Sequence, residues 1–367
     1  MNKSTVLTDK QGRIDWIDWA KGWTILFVVI YHAFKSVHDA NVFAQGEQQI
    51  GEWTIFLLAT FIMPVFFALS GLVYKEVKNR EEYGKNMLKR IVSLAVPYII
   101  FSAAYVFMQN LSPESSTHAV HPWSDLLGIF AHPISYLWYI YWTIFIYSPV
   151  FFAHPISYLW YIYALVLIYI LSGFLDLCKF NVQVQFGISL ILFVAASLIE
   201  FPAFLHFMFT WAVTFNFGRL IKEHKTFSYN KSFIAALTIM LISWLIQIQF
   251  GGENRYDTNG LTFVTFISKM ASIPMFFYIY SNFRENRIHN YFRKYGRDSL
   301  IIYLVHAPAV SAIRAVFVKA GIADYFLMIV GVTLLAWLIS VIACYLTKKI
   351  AVIELIFYPT RCIRWLK

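Results

Sequence analysis

The feature that most constrains this chain is a succession of apolar runs about twenty residues long, separated by short polar segments. A helix needs about 20 such residues to cross the hydrocarbon of a bilayer. Runs fall near 19–38, 54–74, 89–108, 183–200, 203–221, 232–250, 262–283, 298–318 and 326–347. A further stretch at 134–175 is long enough for two crossings. Apolar residues make up 59% of the chain and charged residues only 14%, where a soluble domain carries about 25% charged. No polar stretch is long enough for a separate soluble domain, so residues 1–367 read as one membrane domain. The expected fold is all-α, a polytopic transmembrane helix bundle in a lipid bilayer.

Charge placement sets the orientation. Lys and Arg gather in 75–90 (Lys75, Lys78, Arg80, Lys85, Lys89, Arg90), 219–231, 284–297 and 348–367. The loops 39–53 and 109–133 hold neither, and 251–261 holds only Arg255. The net charge of +10 therefore reads as membrane topology, and no nucleic-acid partner is expected. Placing the basic loops inside requires 134–175 to cross an odd number of times. Hydropathy alone gives eleven spans, whereas charge bias gives about ten, and three separate clusters agree on the second count. The conflict has a visible source. The string FAHPISYLWYIY stands at both 130–141 and 152–163, a 22-residue period near the fourth span. A recent tandem duplication, or an artefact of the sequence, leaves one copy re-entrant or lying along the interface. The tail 1–17 is polar and shows no signal peptide, and the tail 348–367 is basic, so both ends are expected in the cytoplasm of an inner (plasma) membrane protein. Cys178, Cys344 and Cys362 lack metal-type spacing and are expected as free thiols; no metal and no bound cofactor is expected.

Ionisable residues inside spans are costly in lipid and so mark candidate sites. The first span reads Asp18-Trp-Ala-Lys21-Gly22, then an apolar run to His32. At about 100° per residue, Lys21 and His32 share one helix face, about 16 Å apart along the axis. Asp18 stands one turn before Lys21, within reach of it. A cation at a channel mouth would hold phosphates or a thioester carbonyl, and a histidine deeper on the same face would take a proton from an acceptor hydroxyl. The alternative is that Lys21 snorkels and His32 is a hydrogen-bonded bundle residue. Ser299, Tyr303 and His306 follow i, i+4, i+7 spacing and share a face, either as a second polar site or as a helix–helix seam. Met63-Pro64 and Ser70-Gly71 read by themselves as bundle architecture. Lys89-Arg90 anchors the cytoplasmic face or attracts a phosphate-rich donor. Lys35, His38 and Arg314 read as snorkelling side chains, with Glu200 and Asn216 weaker candidates. Elbow, phosphate-loop, dinucleotide and zinc-protease signatures are missing from the sequence.

Five of these segments, in this order, resemble the acyltransferase-3 membrane family, especially its fucose 4-O-acetylase-like branch. They are IDWAKGWTILFVVIYH, FIMPVFFALSG (61–71), KRIVSLAVPYIIFS (89–102), LWYIY and GRDSLIIYLVH (296–306). The family carries Arg or Lys, ten residues, then His, a spacing that Lys21 and His32 reproduce. The resemblance implies a ten-helix bundle that moves an acyl group, usually acetyl from cytoplasmic acetyl-CoA, onto a hydroxyl of a cell-envelope glycan. It implies His32 as the catalytic group, with Lys21 and Asp18 beside it. Ser70, Arg90, Ser299, Tyr303 and His306 are the implied donor- or acceptor-binding residues. The 22-residue repeat departs from the family pattern. A competing class is a proton-coupled transporter of a small solute or lipid-linked glycan, with the histidines as a relay; transporters often show inverted repeats, and only a short direct one is present.

Overall fold

The computed structural model of the chain describes residues 15–40, 42–111, 159–224, 229–251 and 260–362. Long helices occupy the expected apolar runs: α1 (Asp15–Asp39), α2 (Gln45–Leu72), α3 (Arg80–Leu111), α4 (Trp160–Leu177), α5 (Val182–Leu198), α6 (Ala203–Glu223) and α7 (Tyr229–Phe250). After these come α8 (Phe263–Ser281), the short α9 (Arg287–Arg297), α10 (Ser299–Lys319), α11 (Tyr325–Thr347), α12 (Ala351–Phe357) and α13 (Pro359–Cys362). No strand occurs among the described residues, so the fold is the all-α polytopic bundle expected. Among the described residues seven helices (α2, α3, α4, α7, α8, α10 and α11) are long and apolar enough to cross a membrane. Their outward faces fit that solvent: Leu245 on α7 is 67% exposed and Leu334 on α11 63%, apolar surface that belongs in hydrocarbon. The first copy of the repeat, and the second as far as residue 158, lie outside the described residues, as do the tails 1–14 and 363–367.

The chain forms two compact units, one of Met1–Val73 with Phe217–Cys344 and one of Tyr74–Asn216 with Tyr345–Lys367. In the first, α1 packs against α2, α8, α9 and α10. Helices α1 and α2 run antiparallel: Phe27 meets Phe61 with ring centroids 5.4 Å apart, and the Cβ position of Gly51 lies 4.0 Å from His38 Nδ1. Pro64 has no N–H to offer the Thr60 carbonyl, and the Ser272 hydroxyl of α8 stands 3.4 Å from that oxygen. That hydroxyl donates at 2.6 Å to the Lys269 carbonyl of its own helix, so it gives the Thr60 oxygen a polar neighbour rather than a full hydrogen bond. Helices α7 and α8 close on each other through Ala236, Met240, Ala271 and Met275.

One expectation needs correction. The basic segment 284–297 is not a plain loop but contains the helix α9, capped by Asn286, whose side chain accepts from the His289 N–H at 2.8 Å. Its buried residues His289, Phe292, Tyr295 and Gly296 recur at i, i+3, i+6, i+7, while Arg287, Lys294 and Arg297 face outward. Counting Lys and Arg detects the charge of such a segment but not its helical period.

In the second unit, α3 packs with α4, α12 and α13. Ser93 and Thr360 hydroxyls lie 3.2 Å apart, and the Phe101 and Phe357 rings 5.5 Å apart. Near the end of α4, Asp176 accepts from the Tyr74 hydroxyl at 2.8 Å, the Val77 N–H at 3.1 Å and the Gln185 amide at 2.8 Å.

Candidate active site

Along α1 the polar residues of the first unit fall at three levels. The middle level holds the two histidines. His32 of α1 and His306 of α10 face each other with ring centroids 5.0 Å apart, and the Tyr303 ring is 5.8 Å from that of His306. His306 is fully buried, and His32 is half-buried. The Nδ1 of His306 lies 3.0 Å from the Ile302 carbonyl oxygen. A carbonyl only accepts, so Nδ1 carries the proton and Nε2 is the basic nitrogen of the neutral ring. The structure thus joins two motifs that are 274 residues apart, counted from His32 to His306. Two imidazoles this close, tilted 57° to each other, can serve as a proton relay for a hydroxyl placed alongside.

The level nearest the start of α1 is built on a close helix crossing. A Cβ on Gly296 would run into the Asp18 carbonyl oxygen, and one on Gly22 into the Phe292 carbonyl oxygen. Only glycine on both helices lets α1 and α9 meet backbone to backbone. That approach brings Arg297 to Asp18, Nε to Oδ2 at 2.9 Å. The Asp18 carboxylate, expected as a partner for Lys21, is therefore engaged from another helix. Lys21 is half-buried one turn further along. Trp23 packs on Phe292 across the crossing at 4.0 Å, Phe283 stacks on His289 at 4.4 Å at the entry to α9, and the Trp19 indole N–H donates to the Tyr280 carbonyl of α8 at 2.8 Å. Burial, with Tyr291 adding to it, pushes the Tyr295 hydroxyl on this crossing above its ordinary range.

Of the other residues singled out by sequence, Ser70 lies on this unit and Arg90 on the other. The α1–α2 register (His38 beside Gly51, Phe27 beside Phe61) brings Ser70 level with Asp18 and Lys21. Its hydroxyl donates to the Phe66 carbonyl at 2.9 Å within its own helix. Ser299 opens α10, about 10 Å before His306 along the axis. Arg90 belongs to the second unit, its guanidinium 3.5 Å above the Tyr169 ring and 6.0 Å from that of Tyr74.

The third level, at the far end of α1, departs from the snorkelling reading. Arg314 is only 5% exposed and Tyr325 1%. Lys35 pairs with Asp39 at 3.3 Å. Sequence reasoning also passed over Lys269, 2% exposed on α8, whose ammonium donates to the Gly260 carbonyl, and Arg297, whose place beside Ser299 in GRDS was the available signal. Among the described residues no group of three His, Cys, Asp or Glu side chains converges as a metal site would.

A family model described as an acyltransferase domain, that of the acyltransferase-3 family, matches residues 14–342. No curated protein and no solved structure matches the chain. The matched region takes in every residue of the three levels.

Proposed function

The chain belongs to the acyltransferase-3 family and is a membrane acyltransferase, and from that premise we propose that it carries acetyl from acetyl-CoA to a hydroxyl of a cell-envelope glycan. The observation that carries the reading is the pairing of His32 with His306 at 5.0 Å in the interior of a helix bundle. An isolated ionisable group at that depth is a burden on the fold; two imidazoles in contact are equipment for proton transfer. The fucose 4-O-acetylase-like motifs favour a sugar acceptor.

In the proposed reaction His32 takes the proton of the acceptor hydroxyl as its oxygen attacks the thioester carbonyl. The new C–O bond forms, the C–S bond breaks, and the departing CoA thiolate receives the proton from the histidine pair. His306, held through Nδ1 by the Ile302 carbonyl, keeps its Nε2 as the second stop for that proton. Lys21 and Arg297, level with each other at the start of α1, supply positive charge for the CoA phosphates. Asp18 fixes Arg297 there. Ser70, Ser299 and Tyr303 lie on the neighbouring helices of the same unit and are assigned to the approach of donor and acceptor. The lysine end faces the cytoplasm of an inner membrane in this reading, with both termini on that side.

The test uses inverted membrane vesicles holding the wild type or His32→Ala, supplied with radiolabelled acetyl-CoA. Label in the glycan fraction with the wild type, and background with the variant at equal insertion, is the expected result. Full transfer by His32→Ala would remove the assignment. Solute movement without thiol release would replace the acyltransferase reading of this site with the proton-coupled transporter.

A further inference from the structure

The third level of the first unit carries chemistry that the reaction above does not use. From the histidine pair, α1 runs about 9 Å further to His38 and α10 about 12 Å further to Arg314. The two helices that join His32 to His306 thus also deliver His38, Asp39 and Arg314 to one end of the unit, where Tyr325 opens α11. The Tyr325 side chain is buried against Phe43, ring centroids 5.2 Å apart, and its hydroxyl fills the space a Cβ on Gly51 would need. His38 Nδ1 is 4.0 Å from that same point. Among the described residues neither the Tyr325 hydroxyl nor His38 Nδ1 has a hydrogen-bond partner. Leaving a buried donor or acceptor unmade costs about 1–3 kcal/mol, so two beside each other mark a place where a hydroxyl of something else completes the set.

The charges around it are balanced. Arg314 and Lys35 face Asp39, with Lys35 to Asp39 at 3.3 Å and the Arg314 guanidinium within the field of the Asp39 carboxylate. The Glu47 carboxylate acts on Tyr325 from α2. A site with paired charges, a phenol, an imidazole and an aromatic wall suits a neutral, hydroxyl-rich ring better than an anion.

We infer that His38, Asp39, Arg314 and Tyr325 form a subsite for a neutral sugar unit of the acceptor, placed to set the depth at which its reactive hydroxyl meets His32. The inference rests on the acyl-transfer reading only for the word acceptor; the binding of a neutral sugar does not depend on turnover.

Two measurements keep these separate. Saturation-transfer NMR on the purified protein in detergent, with methyl fucoside, methyl glucoside and methyl glucuronide as probes, reads binding alone. The neutral glycosides should give a signal that Tyr325→Phe and Gly51→Ala lose and Gly173→Ala, a substitution in the second unit, keeps. Tyr325→Phe retains the ring and its packing, so loss of signal reports the hydroxyl and not a misfolded helix. In proteoliposomes with acetyl-CoA and methyl fucoside, Tyr325→Phe should raise the KM for the sugar roughly tenfold and leave that for acetyl-CoA unchanged. An unaltered sugar signal in Tyr325→Phe, binding of the glucuronide alone, or a shift in the acetyl-CoA KM alone would each overturn the subsite. Sugar binding with no transfer by the wild type would leave the subsite standing and remove the acyl-transfer reading instead.

Discussion

Two polar clusters, one in each unit, are held in different ways. In the second, Asp176 gathers the Tyr74 hydroxyl, the Val77 N–H and the Gln185 amide around one carboxylate, and the same Gln185 amide also donates to the Phe180 carbonyl. Every group there answers another of the same chain, the arrangement that holds helices together. In the first, His32 and His306 meet ring to ring, with one nitrogen of His306 spent on its own backbone. An ionisable residue beside an apolar span is therefore not a site by default. The useful question is what meets it: three hydrogen-bond donors hold Asp176, whereas a second imidazole meets His32.

Mutation should sharpen that contrast. The largest effect is expected from His32→Ala, a loss of at least about 100-fold in transfer with an unchanged melting temperature in detergent; a marked drop in melting temperature would make His32 a packing residue. Asp176→Ala should do the reverse. Stranding its partners costs about 2–3 kcal/mol of stability, read as a lower Tm, while the folded fraction keeps its turnover. If Asp176→Ala abolished turnover in folded protein, the division between the units would fail.

The glycines offer a finer comparison. A methyl on Gly296 meets the Asp18 backbone, which cannot turn aside, whereas one on Gly173 meets the Tyr83 ring, which can. Gly296→Ala should destabilise by about 1–3 kcal/mol, and Gly173→Ala by clearly less; equal losses in thermal denaturation would contradict the backbone crossing of α1 and α9. The smallest effect belongs to Arg297→Ala. Arg297 is 41% exposed on its side chain, so its ion pair contributes no more than about 1 kcal/mol to folding. Its removal should instead raise the KM for acetyl-CoA severalfold, and an unchanged KM would take Arg297 out of donor binding.

The helices were legible because their apolar runs match the length that lipid demands; α1, α2 and α10 fall within a few residues of 19–38, 54–74 and 298–318, apart from α2 beginning earlier at Gln45. His32 and His306 were each legible as polar groups in apolar surroundings. Their pairing was not, since no local pattern in α1 encodes what α10 presents to it. The Gly22–Gly296 crossing was hidden for a similar reason: a glycine in a span reads as small, and only the opposing backbone shows why it must be. Arg314 departs from the snorkelling reading because a cation near a helix end snorkels only when that end is open, whereas here the end is covered and leaves it 5% exposed. The α9 helix was concealed by its charge, and with it the partner of Asp18.

The central claim is that the His32–His306 pair performs acyl transfer. Its most direct test is acetyl-CoA-dependent labelling of the glycan fraction in inverted vesicles carrying the wild type, His32→Ala or Asp176→Ala at matched amounts of inserted protein. Label with the wild type and with the folded share of Asp176→Ala, and none with His32→Ala, is the result this account requires. Label with His32→Ala equal to that of the wild type would contradict it.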